Sequence, residues 1–352
     1  MEIRFYTQEM EFIGVMENQS SLIWTRRYDE PGEFELHAPI TDYNLQLMQR
    51  ENLVWIKGKK DCGSIEDLQI TEGSEEAEIV AKGRFTPAYM DRRLIKSTVN
   101  FSGTYEEAMY YLPTICVEIP LVEYAESSGM TDEVTFQATY KNLLDYEEKL
   151  ASAAGYGFRY APDFENQTMT LEVYQGIDRS MEQDDVPRVI FSDEYANLEN
   201  ISYRVNDQCY KNVAYVGGEG EGSERTYVTV ALDGYEDAEG MELRELFVDA
   251  KDISSDDLTE DEYLAELMQR GLEKLEENAF SESVECDTEP DGNFKYEEDY
   301  DVGDIVTVRK SSWGIEKSLR LTEMQEVYES EVRSLVPTFG DPLPETVDWS
   351  DE

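Results

Sequence analysis

Residues 21–40, SLIWTRRYDEPGEFELHAPI, carry the clearest alternation of apolar and polar positions in the chain. Leu22, Trp24, Arg26 and Tyr28 fall on one face of an extended segment. Phe34, Leu36, Ala38 and Ile40 fall on one face of a second, with Glu33, Glu35 and His37 opposite. Two period-two runs separated by Asp29-Glu30-Pro31-Gly32 predict a half-buried hairpin, because proline presets φ for the first central turn position and glycine accepts the positive φ that can follow.

The same patterning extends over residues 1–100. Ile3–Tyr6 and Phe12–Met16 read as short strands, and 41–50 as a short helix capped by Thr41. Strands at 53–57 and 65–70 flank GKKDCGS, and a strand at 78–83 follows TEGSEEA. Glycine-bearing turns at such short intervals predict a barrel or sandwich. Near Phe101 the period becomes helical. Thr104 and Glu107 form a capping box, and Tyr105, Ala108, Met109 and Leu112 recur until Pro113 stops the run. A second helix is expected over 140–154, with Leu143, Leu144 and Leu150 on its apolar side and Gly155 as its left-handed stop. Strands at 158–161 and 169–174 complete a small α/β unit over 101–190, flanked by β patterning and therefore an insertion.

After Asn197 the segments ISYRVND, NVAYVGG and RTYVTVALDG alternate again. Residues 255–279 are the longest helix candidate, with Thr259 and Glu262 as a capping box and Tyr263, Leu264, Leu267, Met268, Leu272 and Leu275 as its stripe. Gly271 inside it costs roughly 1 kcal/mol against alanine, which implies close approach to another backbone. Strands are expected at 294–296, 304–308 and 319–327. The Pro-rich acidic stretch past Phe339 reads as extended or disordered.

Composition changes this picture in two ways. At 352 residues the chain exceeds one ordinary core, and 40% hydrophobic content with 23 Tyr, 13 Phe and 4 Trp marks it as folded. Thirty Lys and Arg against 79 Asp and Glu give a formal charge of -49, a field that repels nucleic-acid phosphates and anionic lipid. Cys62, Cys116, Cys209 and Cys286 are too scattered for a zinc knuckle or disulfide framework. The first residues carry no secretory signal pattern, so the expectation is a protein made in a cytoplasm without membrane insertion.

Candidate chemistry is sparse. His37 is the only histidine, and no GxSxG or HExxH accompanies it, so a structural or surface role is expected. The acidic run from Asp233 to Glu242 lacks calcium-loop spacing. The glycine loop Gly217-Gly218-Glu219-Gly220-Glu221-Gly222 matches no phosphate-binding pattern and reads as a hairpin tip. Paired carboxylates for glycoside hydrolysis are available anywhere among so many acids, which gives no pair special standing. The expected catalytic, metal and cofactor-binding sets are all empty.

Resemblance carries the reading further. Trp24, Tyr28, Pro31, Gly32, Phe34 and Leu36 resemble the W-x-x-x-Y-x-x-x-G-x-F-x-L opening of the phage and prophage minor tail proteins, the tail-hub family related to the myophage baseplate hub. Gly63, Gly83 and Leu94 resemble its following hairpin. The run 300–306, with Gly303 and Asp304, resembles its late Y-D-L-G-D-x-V strand, and 336–340, with Phe339 and Gly340, its closing segment. The resemblance implies a β-rich α+β chain of two tube-protein-like β-barrel domains with an inserted small α/β domain. The first barrel would be 1–100, completed by strands from about 191–235. The insertion would be 101–190, and the second barrel 191–352 with the helix at 255–279. The implied role is that of a cofactor-free structural hub of a phage tail, a homotrimer joining the tube end or distal-tail ring protein to tip or fibre proteins. DNA would pass through it unbound. Two alternatives are a tail-tip carbohydrate- or peptidoglycan-active hydrolase using paired carboxylates, and a host-glycan-binding module.

Overall fold

The computed structural model describes residues 1–72, 77–195, 197–222, 225–255, 258–288, 292–329 and 332–340. The hairpin forms as the alternation requires: strand Ser21–Arg27 pairs antiparallel with Glu33–Pro39, placing Leu22 opposite Leu36 and Trp24 opposite Phe34. Glu33–Pro39 continues to Ala77–Arg84 and then to the edge strand Asp67–Glu72. On its other side, Ser21–Arg27 pairs antiparallel with Ile315–Glu329, with Arg26 opposite Met324. That long strand also pairs with Val332–Gly340, from which the sheet runs through Ser281–Asp287 to Glu199–Asn206. Ile305–Lys310 and Ile190–Ser192 complete ten strands. The sheet therefore begins near one end of the chain and is finished by the other.

This pairing corrects two expectations. No sheet closes into a barrel among the described residues: the ten-stranded sheet is open, ending at Asp67–Glu72 and Glu199–Asn206. Nor do strands from 191–235 complete the N-terminal sheet. The free edge of Ser21–Arg27 is taken by Ile315–Glu329, which is long enough to serve several partners. Glu199–Asn206 lies at the far end, and Val213–Gly217 joins Tyr227–Ala231 and Glu245–Asp249 in a separate three-stranded sheet.

Among the described residues four hydrophobic cores result. Beneath the hairpin, Leu22, Trp24, Phe34, Leu36 and Ala38 pack against Ile3, Phe5 and Met16 from a small sheet and against Leu47 of helix α1 (Asp42–Leu47), whose cap is Thr41 as expected. A second core gathers α2 (Tyr105–Ile115), α3 (Leu143–Ala154) and the strands around them, but it also takes in Tyr6, Met10, Leu53 and Cys62. A third lies under the C-terminal half of the large sheet, around Phe191, Tyr300, Val306 and Phe339. In the fourth, α4 (Glu260–Glu276) covers one face of the three-stranded sheet. No described helix is long and apolar enough to cross a membrane.

Local departures have local causes. The capping boxes at Thr104–Glu107 and Thr259–Glu262 both form. Pro113 does not stop α2, which runs to Ile115, since a proline so near the C-terminus disrupts little of the hydrogen-bond ladder that remains. The second helix starts at Leu143 rather than 140, because Lys141–Asn142 pairs with Leu94–Ile95 and the Asn142 side chain caps the Leu144 and Asp145 amides. On α4 the stripe includes buried Glu266 and leaves Met268 at 47% exposure. Gly271 meets the side chains of Val216 and Val230, not a backbone. The strand expected at 65–70 divides into Gly63–Ser64 and Asp67–Glu72, and 294–296 forms only an isolated bridge between Tyr296 and Tyr300. The stretch beyond Gly340 lies outside the described residues.

Candidate functional site

Strand Ser21–Arg27 crosses two cores. Leu22 and Trp24 belong to the N-terminal core, and Tyr28 just beyond it to the C-terminal core. Arg26 lies between them on the same buried face, at 3% exposure. A guanidinium there must be matched by buried carboxylates. Asp61 meets its Nε at 2.7 Å, Asp301 meets Nη1 at 2.6 Å, and Nη1 also donates to the Tyr296 hydroxyl at 2.7 Å. Asp301 takes Lys60 on its other oxygen at 2.9 Å. Burial opposes ionisation of Asp301, but Arg26 and Lys60 outweigh it and hold its pKa at about 2.

The network continues through Glu297, which binds Lys59 at 2.7 Å, to Glu326, whose side chain is fully buried. Glu326 accepts from Lys59 at 2.6 Å, from Tyr328 at 2.7 Å and from Arg333 at 2.6 Å. Burial pushes its carboxyl upward, and these three donors more than reverse the shift. The node thus fastens the Asp61 loop and the hairpin to Ile315–Glu329 and Val332–Gly340. Reading the sequence for motifs missed Asp61, Lys59 and Glu326, and took in Asp301 only as part of the 300–306 run. The available signal was Arg26 itself, a cation in register with Leu22, Trp24 and Tyr28.

The motif residues fall into two groups joined by Tyr28. Trp24 packs on Phe34, ring centroids 5.9 Å apart, and on Phe85 at 4.5 Å; Leu36 is fully buried beside them. Pro31 leads into Gly32, whose φ is not positive. Gly32 is required instead because a Cβ would stand 2.2 Å from the Thr25 carbonyl oxygen and 2.6 Å from the Phe85 ring. In the other half, Asp304 accepts from the Ile177 amide at 2.7 Å, the Arg179 Nε at 2.8 Å and the Asp301 amide at 3.1 Å. Phe339 packs on Phe191 at 5.2 Å, and the Gly340 carbonyl accepts from the Thr322 hydroxyl at 2.6 Å.

Tyr28 spans the halves. Its ring lies against Gly303, its hydroxyl donates to the Gly155 carbonyl and accepts from the Gly176 amide, each at 2.9 Å, and Arg320 sits 4.9 Å over its ring. Gly303 and Asp304 are thereby brought to the end of the hairpin strand. Trp24, Pro31, Gly32, Phe34 and Leu36 stay in the first core, and Phe339 and Gly340 stay in the third.

The remaining titratable groups do not converge on a reacting centre. His37 lies on the outer face of the sheet between Glu78 at 2.7 Å and Glu35 at 2.8 Å. Partial burial lowers its pKa, and the two carboxylates raise it by more. A cleft of about 420 Å³ between the hairpin turn, α3 and α4 is lined by Asp29, Glu30, Asp145, Glu148, Lys149, Ser152, Glu273, Glu276 and Glu277. Burial, then the like charges of Glu30, Asp145 and Asp29, pushes Glu148 up to about 8; burial and Glu273 push Glu276 up to about 7. These are the most perturbed accessible carboxyls, but the cleft has no apolar wall on which a sugar ring could rest. Glu106, 1% exposed, is spent on structure: it accepts from the Ser127 hydroxyl and the amides of Ser128, Gly129 and Met130. Among the described residues no His, Cys, Asp and Glu group is arranged to hold a metal ion. The glycine loop packs Gly217 beneath the Arg225 guanidinium, and its Ser223 and Glu224 lie outside the described residues.

Three solved structures share this fold from end to end. A tail protein from Neisseria meningitidis MC58 superposes with a TM-score of 0.61 at 12% identity, over 97% of this chain and 96% of that one. The 43 kDa tail protein of prophage MuSo2 from Shewanella oneidensis gives 0.58 at 12%, over 96% and 98%. Prophage tail protein gp18 from Listeria monocytogenes EGD-e gives 0.56 at 12%, over 97% and 95%. No curated protein sequence is significantly similar to the chain. The family model described as Siphovirus ReqiPepy6 Gp37-like protein matches residues 2–341. The chain therefore belongs to the Siphovirus ReqiPepy6 Gp37-like family.

Proposed function

We propose that the chain is a structural hub of the phage tail, a homotrimer that joins the tube end or distal-tail ring protein to tip or fibre proteins and performs no covalent chemistry. The observation that carries this reading is the uninterrupted ten-stranded sheet, sewn at its centre by the Arg26 node. A part that transmits force between ring and tip needs its two halves to move together, and a shared sheet with a buried, fully matched ion network supplies that. We assign residues 1–100 and 191–352 as the two wall-forming halves and 101–190 as a peripheral unit. Three copies would present six such halves to a six-fold ring, which removes the symmetry mismatch with a three-fold tip.

The acid-rich surface suits a DNA passage. On the outer face of the hairpin sheet the cations are already matched, Arg27 by Glu33 and Glu323, Lys82 by Glu35, and Arg84 by Glu66 and Asp91. Cations so paired are poor anchors for phosphate. Cryo-electron microscopy of intact tails tests the reading: three copies at the tube end are expected, and six copies, or a position along a fibre, would overturn it. Turnover of purified peptidoglycan by the chain would replace it with the hydrolase reading.

A further inference from the structure

The three-stranded sheet of Tyr227–Ala231, Val213–Gly217 and Glu245–Asp249 is packed by α4 on one side. Ala214, Val216 and Val248 turn toward the helix and are buried with its Tyr263, Leu267 and Leu275. Side chains alternate along a strand, so the odd-numbered positions face away from α4. The register sets Tyr215 between Thr229 and Phe247, and Gly217 between Tyr227 and Asp249. On this side Tyr215, Tyr227 and Phe247 are 46%, 53% and 59% exposed.

Arg225 organises the open face. A Cβ on residue 217 would stand 2.6 Å from its guanidinium, so Gly217 lets that group lie flat on the middle strand. There Nε donates to the Gly218 carbonyl at 2.9 Å, and Nη2 donates to the Gly217 carbonyl at 2.6 Å and to the Asp249 carboxylate. The guanidinium carbon lies 5.6 Å from the centroid of the Tyr227 ring and 5.6 Å from that of Phe247. Two rings thus flank a tethered cation, Tyr215 stands beside Phe247 on the middle strand, and Glu245 and Asp249 add exposed carboxylates from the third strand.

Proteins, nucleic acids and sugars all stack on such rings, and the surroundings separate them. A stable protein interface needs roughly 800 Å² on each partner. Three rings of about 150–250 Å² each, exposed by these fractions, offer roughly 240–400 Å². Bases of a single strand stack on aromatic side chains, but their phosphates would meet Glu245, Asp249 and the field of a chain of charge -49. A neutral pyranose escapes both objections. Its C–H face rests on a ring, while its hydroxyls donate to carboxylates and accept from a guanidinium.

We propose that the open face of this sheet binds a neutral oligosaccharide, with sugar rings stacked on Tyr215, Tyr227 and Phe247 and hydroxyls bonded to Glu245, Asp249 and Arg225. The assignment goes beyond the hub reading and stands without it. Saturation-transfer NMR of the full chain with chitotriose, cellotriose and maltotriose tests it. At least one of these trisaccharides should receive saturation on its ring protons. Tyr215→Ala and Phe247→Ala should each reduce the transfer several-fold at an unchanged circular dichroism spectrum, whereas Trp313→Ala, at an exposed ring on a turn of the large sheet, should not. No transfer to any of the three overturns the proposal, as does an equal loss in Trp313→Ala. Stronger transfer to a hyaluronan tetrasaccharide than to all three overturns the neutral class. If light scattering shows that Phe247→Ala breaks an oligomer of the chain, the face belongs to a second copy and the proposal falls.

Discussion

The ring of Tyr28 lies so close to the backbone of Gly303 that a Cβ on residue 303 would stand 2.2 Å from Tyr28 Cε2. Gly303 also holds φ at +102°, a conformation L side chains rarely adopt. Contact and conformation together demand glycine. Gly303→Ala is expected to destabilise by roughly 1–3 kcal/mol, read as a lower urea midpoint at unchanged m. An unshifted midpoint would show that Tyr28 yields freely.

Arg26→Met should cost about 3–5 kcal/mol, because it strands Asp61 as an unmatched buried charge and leaves Asp301 with Lys60 alone. Adding Asp301→Asn should recover part of that loss. A double-mutant cycle in urea checks both statements, and strictly additive costs would mean that the two side chains do not depend on each other.

Trp24→Ala empties a fully buried aromatic site between Phe34 and Phe85 and should destabilise by about 3–5 kcal/mol. Thermal or urea unfolding followed by circular dichroism measures it. A loss well below that range would mean that the hairpin core collapses readily into the space.

The acidic cleft sets a pH dependence of definite sign. Glu148 and Glu276 have folded pKa values raised to about 8 and about 7, against about 4.3 unfolded. Their contribution is fully present below the unfolded value and is lost as pH rises through 7 and 8. His37, also raised, acts in the same direction from about 6.5 upward. Asp301 acts oppositely, and its contribution is lost only as pH falls through about 2. Unfolding midpoints should therefore fall between pH 5 and 9. Glu148→Gln should flatten the decline, whereas His37→Ala should remove its own share and leave the assembly state unchanged.

The hairpin was legible in the sequence because one half-buried face fixes a period of two, and its register follows from that period and the turn. The capping boxes were legible for the same local reason. Barrel closure and the completing strand were not, because strand pairing is a long-range choice. Nothing within residues 21–27 distinguishes Ile315–Glu329 from 191–235 as a partner. The node was half visible: Arg26 announced a buried cation, but Asp61, Asp301 and Glu326 look like any of 79 acids until the fold places them. Gly303 carried a motif match but no hint that its neighbour would be Tyr28. The perturbed carboxyls of α3 and α4 were hidden likewise, since burial of a glutamate between two helices depends on how the helices dock.

The pairing of Ser21–Arg27 with Ile315–Glu329 also sets a timetable for synthesis. The ribosome delivers the first strand on the order of 300 residues before the second, a wait of roughly 15–60 s at about 5–20 residues per second. Throughout that interval the nascent hairpin exposes an unmatched edge, together with an arginine whose counter-ion Asp301 does not yet exist. The N-terminal half cannot finish folding until Ile315–Glu329 has emerged, and that strand decides whether the first ones were kept soluble.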